Sequence, residues 1–331
     1  TEMPVLTMAR FRPLFLAALS LLLLLLFAAS GYSQARTVWS DTDDAGPDDV
    51  GLSVGYDSQG CVVTAGWVWD AATDYDVIVT KHDRTGQLLW TQRWDGPDHL
   101  EDYAAYLIVD ANDDIYVAGN SEGASTGMDY LMLKYDTAGV LLWSKRHDGP
   151  ASSGDWVQIF DPVAVDAAGS AYLTGYTSTG PGQYQITTIK YLTDGSVEWV
   201  RDTPGPNPAS SRSFGYCAHL GPSGALYVGG ASRNLAGDVD YTLLKYDSGG
   251  TLLWQQQFDG VYGLDDGMYQ MTVAANDDVS LTGLSHTTGA LESSVMKCDA
   301  HGVLPWEGRH GAPARDHYAR GLTLPAAASA D

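Results

Sequence analysis

Hydrophobic and polar positions alternate along this chain in short runs, and the runs come in groups of four. In the segment from Tyr103, YAAYLIVD is a β-rich run, and ANDD follows it as a turn. IYVAG (Ile115–Gly119) then alternates as a strand, with Gly119 expected to close it. A loop rich in Gly, Ser and Thr leads to DYLMLKYD. There Leu131, Leu133 and Tyr135 share one face, and Tyr130, Met132 and Lys134 share the other. A turn through Thr137, Ala138 and Gly139 opens VLLWSKRHDG. Four short strands thus fit into about fifty residues, and no helical periodicity follows the N-terminal segment.

The third and fourth strands carry a phrase that recurs five times: KHDRTGQLLW, KYDTAGVLLW, KYLTDGSVEW, KYDSGGTLLW and KCDAHGVLPW. Its tryptophans, Trp90, Trp143, Trp199, Trp254 and Trp306, stand 53, 56, 55 and 52 residues apart. A β-only unit repeated at this period predicts a β-propeller of four-stranded blades; a parallel β-helix is the alternative, but its coils are usually shorter. Glycines recur at 66, 119, 175, 230 and 283, where a positive φ or a bulge is expected. Asp57, Asp110 and Asp166 mark the first turn, and Gly221 and Ala274 replace them later. Each fourth-strand Trp offers a large apolar face for packing between blades.

The expected organisation is a signal segment at 1–35 and a propeller over 36–331, with repeats near 50–96, 103–149, 157–205, 213–260 and 268–311. A partial unit at 316–331 has only a first-strand pattern, DHYARGLTLP, while Thr37–Trp39 has fourth-strand character. These two segments suggest an incomplete sixth blade, in a chain that is a fragment or a ring that a partner completes. An incomplete blade predicts self-association through unpaired strand edges.

The pairing of a first hairpin, VDANDDIYVAG, with DYLMLKYDTAGVLLW resembles the bacterial SBBP repeat, a seven-bladed propeller family. The likeness covers about residues 38–324. It implies an exported bacterial propeller and names no chemistry. Leu192 departs from the Asp of KYD, and Cys298 departs from its Tyr.

Arg10 and Arg12 precede an apolar run from Leu14 to Phe27, and Ser33-Gln34-Ala35 offers a cleavage site. A secreted, periplasmic or cell-surface protein with no membrane span after cleavage is expected. Losing Arg10, Arg12 and Glu2 takes the net charge from −23 to −24, which argues against nucleic-acid binding. Three cysteines, Cys61, Cys217 and Cys298, are too scattered for a disulfide framework and read as small buried hydrophobes.

Strand direction sorts the loops. The second-to-third connections and the links between blades share one rim, and the short turns share the other. On the long-loop rim Asp95 and Asp102, Asp148 and Asp155, and Asp259 and Asp266 form pairs seven residues apart. Asp76, Asp129, Asp240 and Glu292 each stand five residues before the repeated Lys and reach the same rim. The leading segment adds Asp41, Asp43, Asp44, Asp48 and Asp49. The paired acids are candidate calcium ligands, since calcium takes carboxylate and carbonyl oxygens. They serve equally as loop caps and solubilising charges. DANDDIYVAGNS lacks the Gly and Glu of an EF-hand loop. No other cofactor is indicated.

The repeated lysines read as solvated or strand-pairing positions opposite an acid. Trp67 and Trp69, expected in a loop, are candidates for stacking on a sugar or for covering an edge. No catalytic residue is identified. Sialidase-type Asp boxes and quinoprotein docking motifs fail on spacing, a GxSxG elbow is absent, and the histidines are dispersed. The expected function is a module binding an extracellular protein or glycan through its acidic rim. A secreted carbohydrate-active hydrolase or lyase with a carboxylate site on that rim is the alternative. A carboxylate pair in a deep pocket would favour the enzyme.

Overall fold

The computed structural model describes residues 49–207, 211–260, 262–287 and 290–310, and these form five antiparallel four-stranded sheets with no helix. Blade 1 holds β1 (Val50–Tyr56), β2 (Val62–Asp70), β3 (Asp74–His82) and β4 (Leu88–Trp94). Blade 2 holds β5 (Asp102–Val109), β6 (Ile115–Gly123), β7 (Gly127–Tyr135) and β8 (Leu141–His147). Blade 3 holds β9 (Val163–Val165), β10 (Ala171–Gly180), β11 (Gln183–Tyr191) and β12 (Val197–Thr203). Blade 4 holds β13 (Ser213–Leu220), β14 (Leu226–Arg233), β15 (Val239–Tyr246) and β16 (Leu252–Phe258). Blade 5 holds β17 (Asp266–Val273), β18 (Val279–His286), β19 (Leu291–Cys298) and β20 (Trp306–His310). In every blade the strands pair in chain order, as a meander.

The two-faced pattern of the third strands has a direct structural counterpart. Leu131, Leu133 and Tyr135 enter the core between blades 1 and 2, while Tyr130 and Met132 enter the core between blades 2 and 3. Both faces of this middle strand are therefore apolar, because the sheet of blade 2 is sandwiched between those of blades 1 and 3. First strands of successive blades pack against one another, β1 against β5 and β13 against β17.

The repeated phrase works as a clasp between blades. The indole N–H of Trp90, Trp143, Trp199 and Trp254 donates to the carbonyl of Thr137, Thr193, Ser248 and Ala300, at 3.0 to 3.3 Å. Each acceptor lies in the third turn of the next blade. Lys81, Lys190 and Lys245 donate to three of those same carbonyls. The turn glycine of the next blade lies against the indole: a Cβ on Gly139 would stand 2.8 Å from the Trp90 ring. Far from solvated, Lys81 is only 3% exposed and pairs with Asp57 at 2.9 Å. Lys134, Lys190 and Lys297 pair with Asp114, Glu198 and Asp278.

Gly66, Gly119, Gly230 and Gly283 stand opposite register shifts between first and second strands, so the bulge alternative holds and the positive φ does not. A Cβ on Gly119 would overlap the Tyr103 carbonyl oxygen. Gly119 does not close its strand, since β6 runs on to Gly123. Trp67 and Trp69 lie within β2 rather than in a loop. Cys217 and Cys298 are buried, Cys61 is partly buried, and all three are free thiols. The first-turn aspartates cap as expected: Asp110 accepts the N–H groups of Asn112 and Asp114.

Residues 1–48 and 311–331 lie outside the described residues, and with them the signal segment, Asp41, Asp43, Asp44, Asp48 and the two sixth-blade segments. On the outer flank of blade 1, Val50, Leu52, Val54 and Tyr56 alternate along β1 and are exposed. Trp306, at the other flank, is 50% exposed, whereas Trp143 and Trp199 inside the array are buried.

Candidate functional site

The long-loop rim gathers its acids into three sets of three. Asp76, Asp95 and Asp102 form the first, Asp129, Asp148 and Asp155 the second, and Asp240, Asp259 and Asp266 the third. In each set one carboxylate oxygen from every member lies within 4.8 Å of the others. The construction is the same each time. The first acid comes from the third strand of one blade, the second follows its fourth strand, and the third opens the next blade.

The glycine after the second acid closes the connection. Gly96, Gly149 and Gly260 donate their N–H to Asp102, Asp155 and Asp266 at 2.5 to 2.6 Å. A side chain at Gly96 would come within 2.9 Å of both oxygens of Asp102, so close approach demands glycine. The predicted pairs seven apart are therefore real neighbours. Each gains a third member that sequence spacing did not associate with it. Glu292 joins no such set among the described residues.

Most of these carboxylates are out of water. Asp76, Asp102, Asp155, Asp240 and Asp266 are at most 3% exposed. One oxygen each of Asp76, Asp102, Asp129, Asp240 and Asp266 is buried without a hydrogen-bond partner. Burial pushes Asp102 and Asp155 up to about 6. Burial, then the like charges of Asp259 and Asp266, push Asp240 up to about 7.

Two sets carry a counter-ion in the chain itself. Arg93 grips Asp76 and Asp70, and Arg146 grips Asp129 at 2.6 Å. Both arginines stand three residues after the repeated Trp, a spacing that the sequence itself carries. In blade 4 that position is Gln257, whose amide donates to the Ser232 carbonyl instead. Blade 3 has Gln185, Pro204 and Ser211 at the three acid positions. There the Ser211 hydroxyl accepts the Gly205 N–H in place of a carboxylate.

Beside the first two sets lies a cleft of about 670 Å³. Its walls are Trp67, Tyr103, Trp156, Phe160 and Tyr176, with Leu52 and Ile159 at the edge and Glu101, Asn120 and Gln158 as polar groups. The Trp67 and Tyr103 rings meet edge to face at 5.1 Å, and the Tyr103 hydroxyl donates to Glu101 at 2.7 Å. Asn120 grips the Val157 backbone in both directions and so fixes the segment that carries Trp156 and Phe160. Trp156 is tied to Tyr176 by a pair of backbone bonds at 2.9 and 3.0 Å. The aromatic rings are half-buried, which leaves part of each available to a ligand. Trp67 belongs to this cleft. Trp69 does not line it. Trp156, Phe160 and Tyr176 gave no sequence signal, because they converge from two different segments of the third unit onto blades 1 and 2.

No protein-family model matches this chain, and no curated protein matches it. Solved structures similar to it include a protein of unknown function from Dyadobacter fermentans, 12% identical, covering 78% of this chain and 82% of that one, with a TM-score of 0.46. An ulvan lyase, a polysaccharide lyase solved with a bound sugar, is 10% identical over 82% of this chain and 72% of its own, with a TM-score of 0.43. A calcium-binding regucalcin from Agrobacterium tumefaciens is 13% identical over 78% and 73%, with a TM-score of 0.40. The likeness concerns the fold alone; the propeller architecture of four-stranded antiparallel blades rests on the chain's own five sheets.

Proposed function

We propose that this propeller is an exported, non-catalytic module that binds a glycan in the aromatic cleft of its long-loop rim. The observation that carries the reading is the cleft itself. Five aromatic side chains with a few polar groups suit the apolar faces and hydroxyl edges of sugar rings. Among the described residues lining it Glu101 is the one carboxylate, and an acid pair of the kind a hydrolase uses is not found among them. The acid sets are close-packed between blades and do not line it. The five-fold phrase is the ground for placing the chain with SBBP-repeat proteins, and the apolar N-terminal run is the ground for export.

The test is binding of the full-length chain to a glycan array, followed by titration of the best ligand and hydrolysis and elimination assays on it. Trp67→Ala and Trp156→Ala should each weaken binding about tenfold or more, since a tenfold loss is about 1.4 kcal/mol and truncating a buried aromatic anchor costs at least that. Turnover of the ligand would favour the lyase or hydrolase instead. Binding that ignores both substitutions would remove the cleft as the site.

A further inference from the structure

The three acid sets are built alike but neutralised differently, and the difference picks out one of them. Converging carboxylates repel, and burying them costs solvation. Blade 3 shows that the connection closes without them, through the Ser211 hydroxyl. The charge is therefore not required by the turn. In the first two sets a guanidinium answers it, Arg93 on Asp76 and Arg146 on Asp129.

Among the described residues no such cation is paired with the acids of the third set. Asp240 is 1% exposed; one oxygen takes the Asn234 amide at 2.8 Å, and the other, buried beside Asp259 and Asp266, has no partner. Asp266 is 3% exposed, with one oxygen on the Gly260 N–H and the other without a hydrogen bond. Arg309 bonds Ser285 at 2.9 Å and reaches Asp266 as a neighbouring charge, with no ion pair to it. Asp259 is exposed and gives the set an opening to solvent.

We infer that Asp240, Asp259 and Asp266 form a binding site for one hard divalent cation of the calcium class, set between blades 4 and 5. The donor set is all oxygen, as calcium prefers, and three carboxylates leave coordination positions for water. A metal ion there does what Arg93 and Arg146 do in the other two sets, with two charges in place of one. The first two sets are excluded for the same ion, because their guanidinium already occupies the charge. This site is independent of glycan binding in the cleft.

Calorimetric titration of calcium chloride into the full-length chain, freed of metal beforehand, tests the assignment, with thermal melting as a second readout. One ion per chain should bind and raise the melting temperature. Asp240→Asn, nearly isosteric, should weaken binding at least tenfold. Gln257→Arg should do the same by placing a guanidinium on Asp240. Arg93→Gln should free the first set and raise the stoichiometry from one to two. An absence of both heat and melting shift overturns the assignment. So does a wild-type stoichiometry of three, or an affinity that neither Asp240→Asn nor Gln257→Arg changes.

Discussion

At the scale of residues, the repeated phrase divides its labour sharply. Its Trp in four copies, and its Lys in three of them, reach forward to one carbonyl of the next blade, and its Gly receives the Trp of the blade before. Gly139 shows why that position admits so little. Its φ is +82°, and a Cβ would stand 2.8 Å from the Trp90 ring. Gly139→Ala should therefore cost about 1–3 kcal/mol by strain and overpacking together. Urea denaturation measures this, and the double variant with Trp90→Ala should lose less than the sum of the single losses, because the clash then has no second partner. The buried lysine is similarly bound to its setting. Burial would raise Asp57, but the Lys81 ammonium and the Cys61 N–H hold its carboxyl below the usual range.

At the scale of elements, the bulge in each first strand is what the second-strand glycine serves. The register shift between Ala104 and Tyr106 turns the Tyr103 carbonyl toward Gly119. A methyl group there has nowhere to go except through backbone. Gly119→Ala should therefore cost about 3 kcal/mol or more, at the upper end of overpacking penalties, with a matching fall in the denaturation midpoint. The alternation of β7 was fully legible in the sequence, because both of its faces are buried. Trp67 and Trp69 are expected in a loop from the sequence but lie in a strand. They belong to β2, whose pairing with β3 runs as far as Asp70 and Asp74. β9 keeps only three residues, and Pro162 and Asp161, the latter with a φ of +76°, immediately precede it. Proline cannot donate to a ladder, and this shortening frees Trp156 to Phe160 to form the cleft wall.

At the scale of the whole molecule, the rim stores unfavourable charge, and that has a pH signature. Burial pushes Asp102 and Asp155 up to about 6 and Asp240 up to about 7, well above the ordinary carboxylate value of 3.8. Each raised carboxyl holds its proton more tightly folded than unfolded. Its contribution to stability is greatest below the unfolded value and is lost as pH rises through the folded one. With divalent cations removed, the melting temperature should therefore fall between about pH 4 and pH 7. Asp240→Asn should flatten the upper part of that fall, from about pH 6 upward; a melting temperature that rises steadily across the interval would contradict it.

The chain alone determined its architecture, since period, alternation and turn residues are local properties that survive in one dimension. It also marked the acid pairs, because a link of seven residues between blades is local too. Tertiary structure decided which acid completes each pair, for Asp76, Asp129 and Asp240 lie a whole strand earlier and arrive only when the fourth strand folds back along the third. It also decided which set lacks a counter-ion, through contacts that a repeat of identical spacing conceals. The cleft belongs wholly to the folded state. Its aromatic walls come from three blades, and nothing in their spacing says they will face one another until the blades pack.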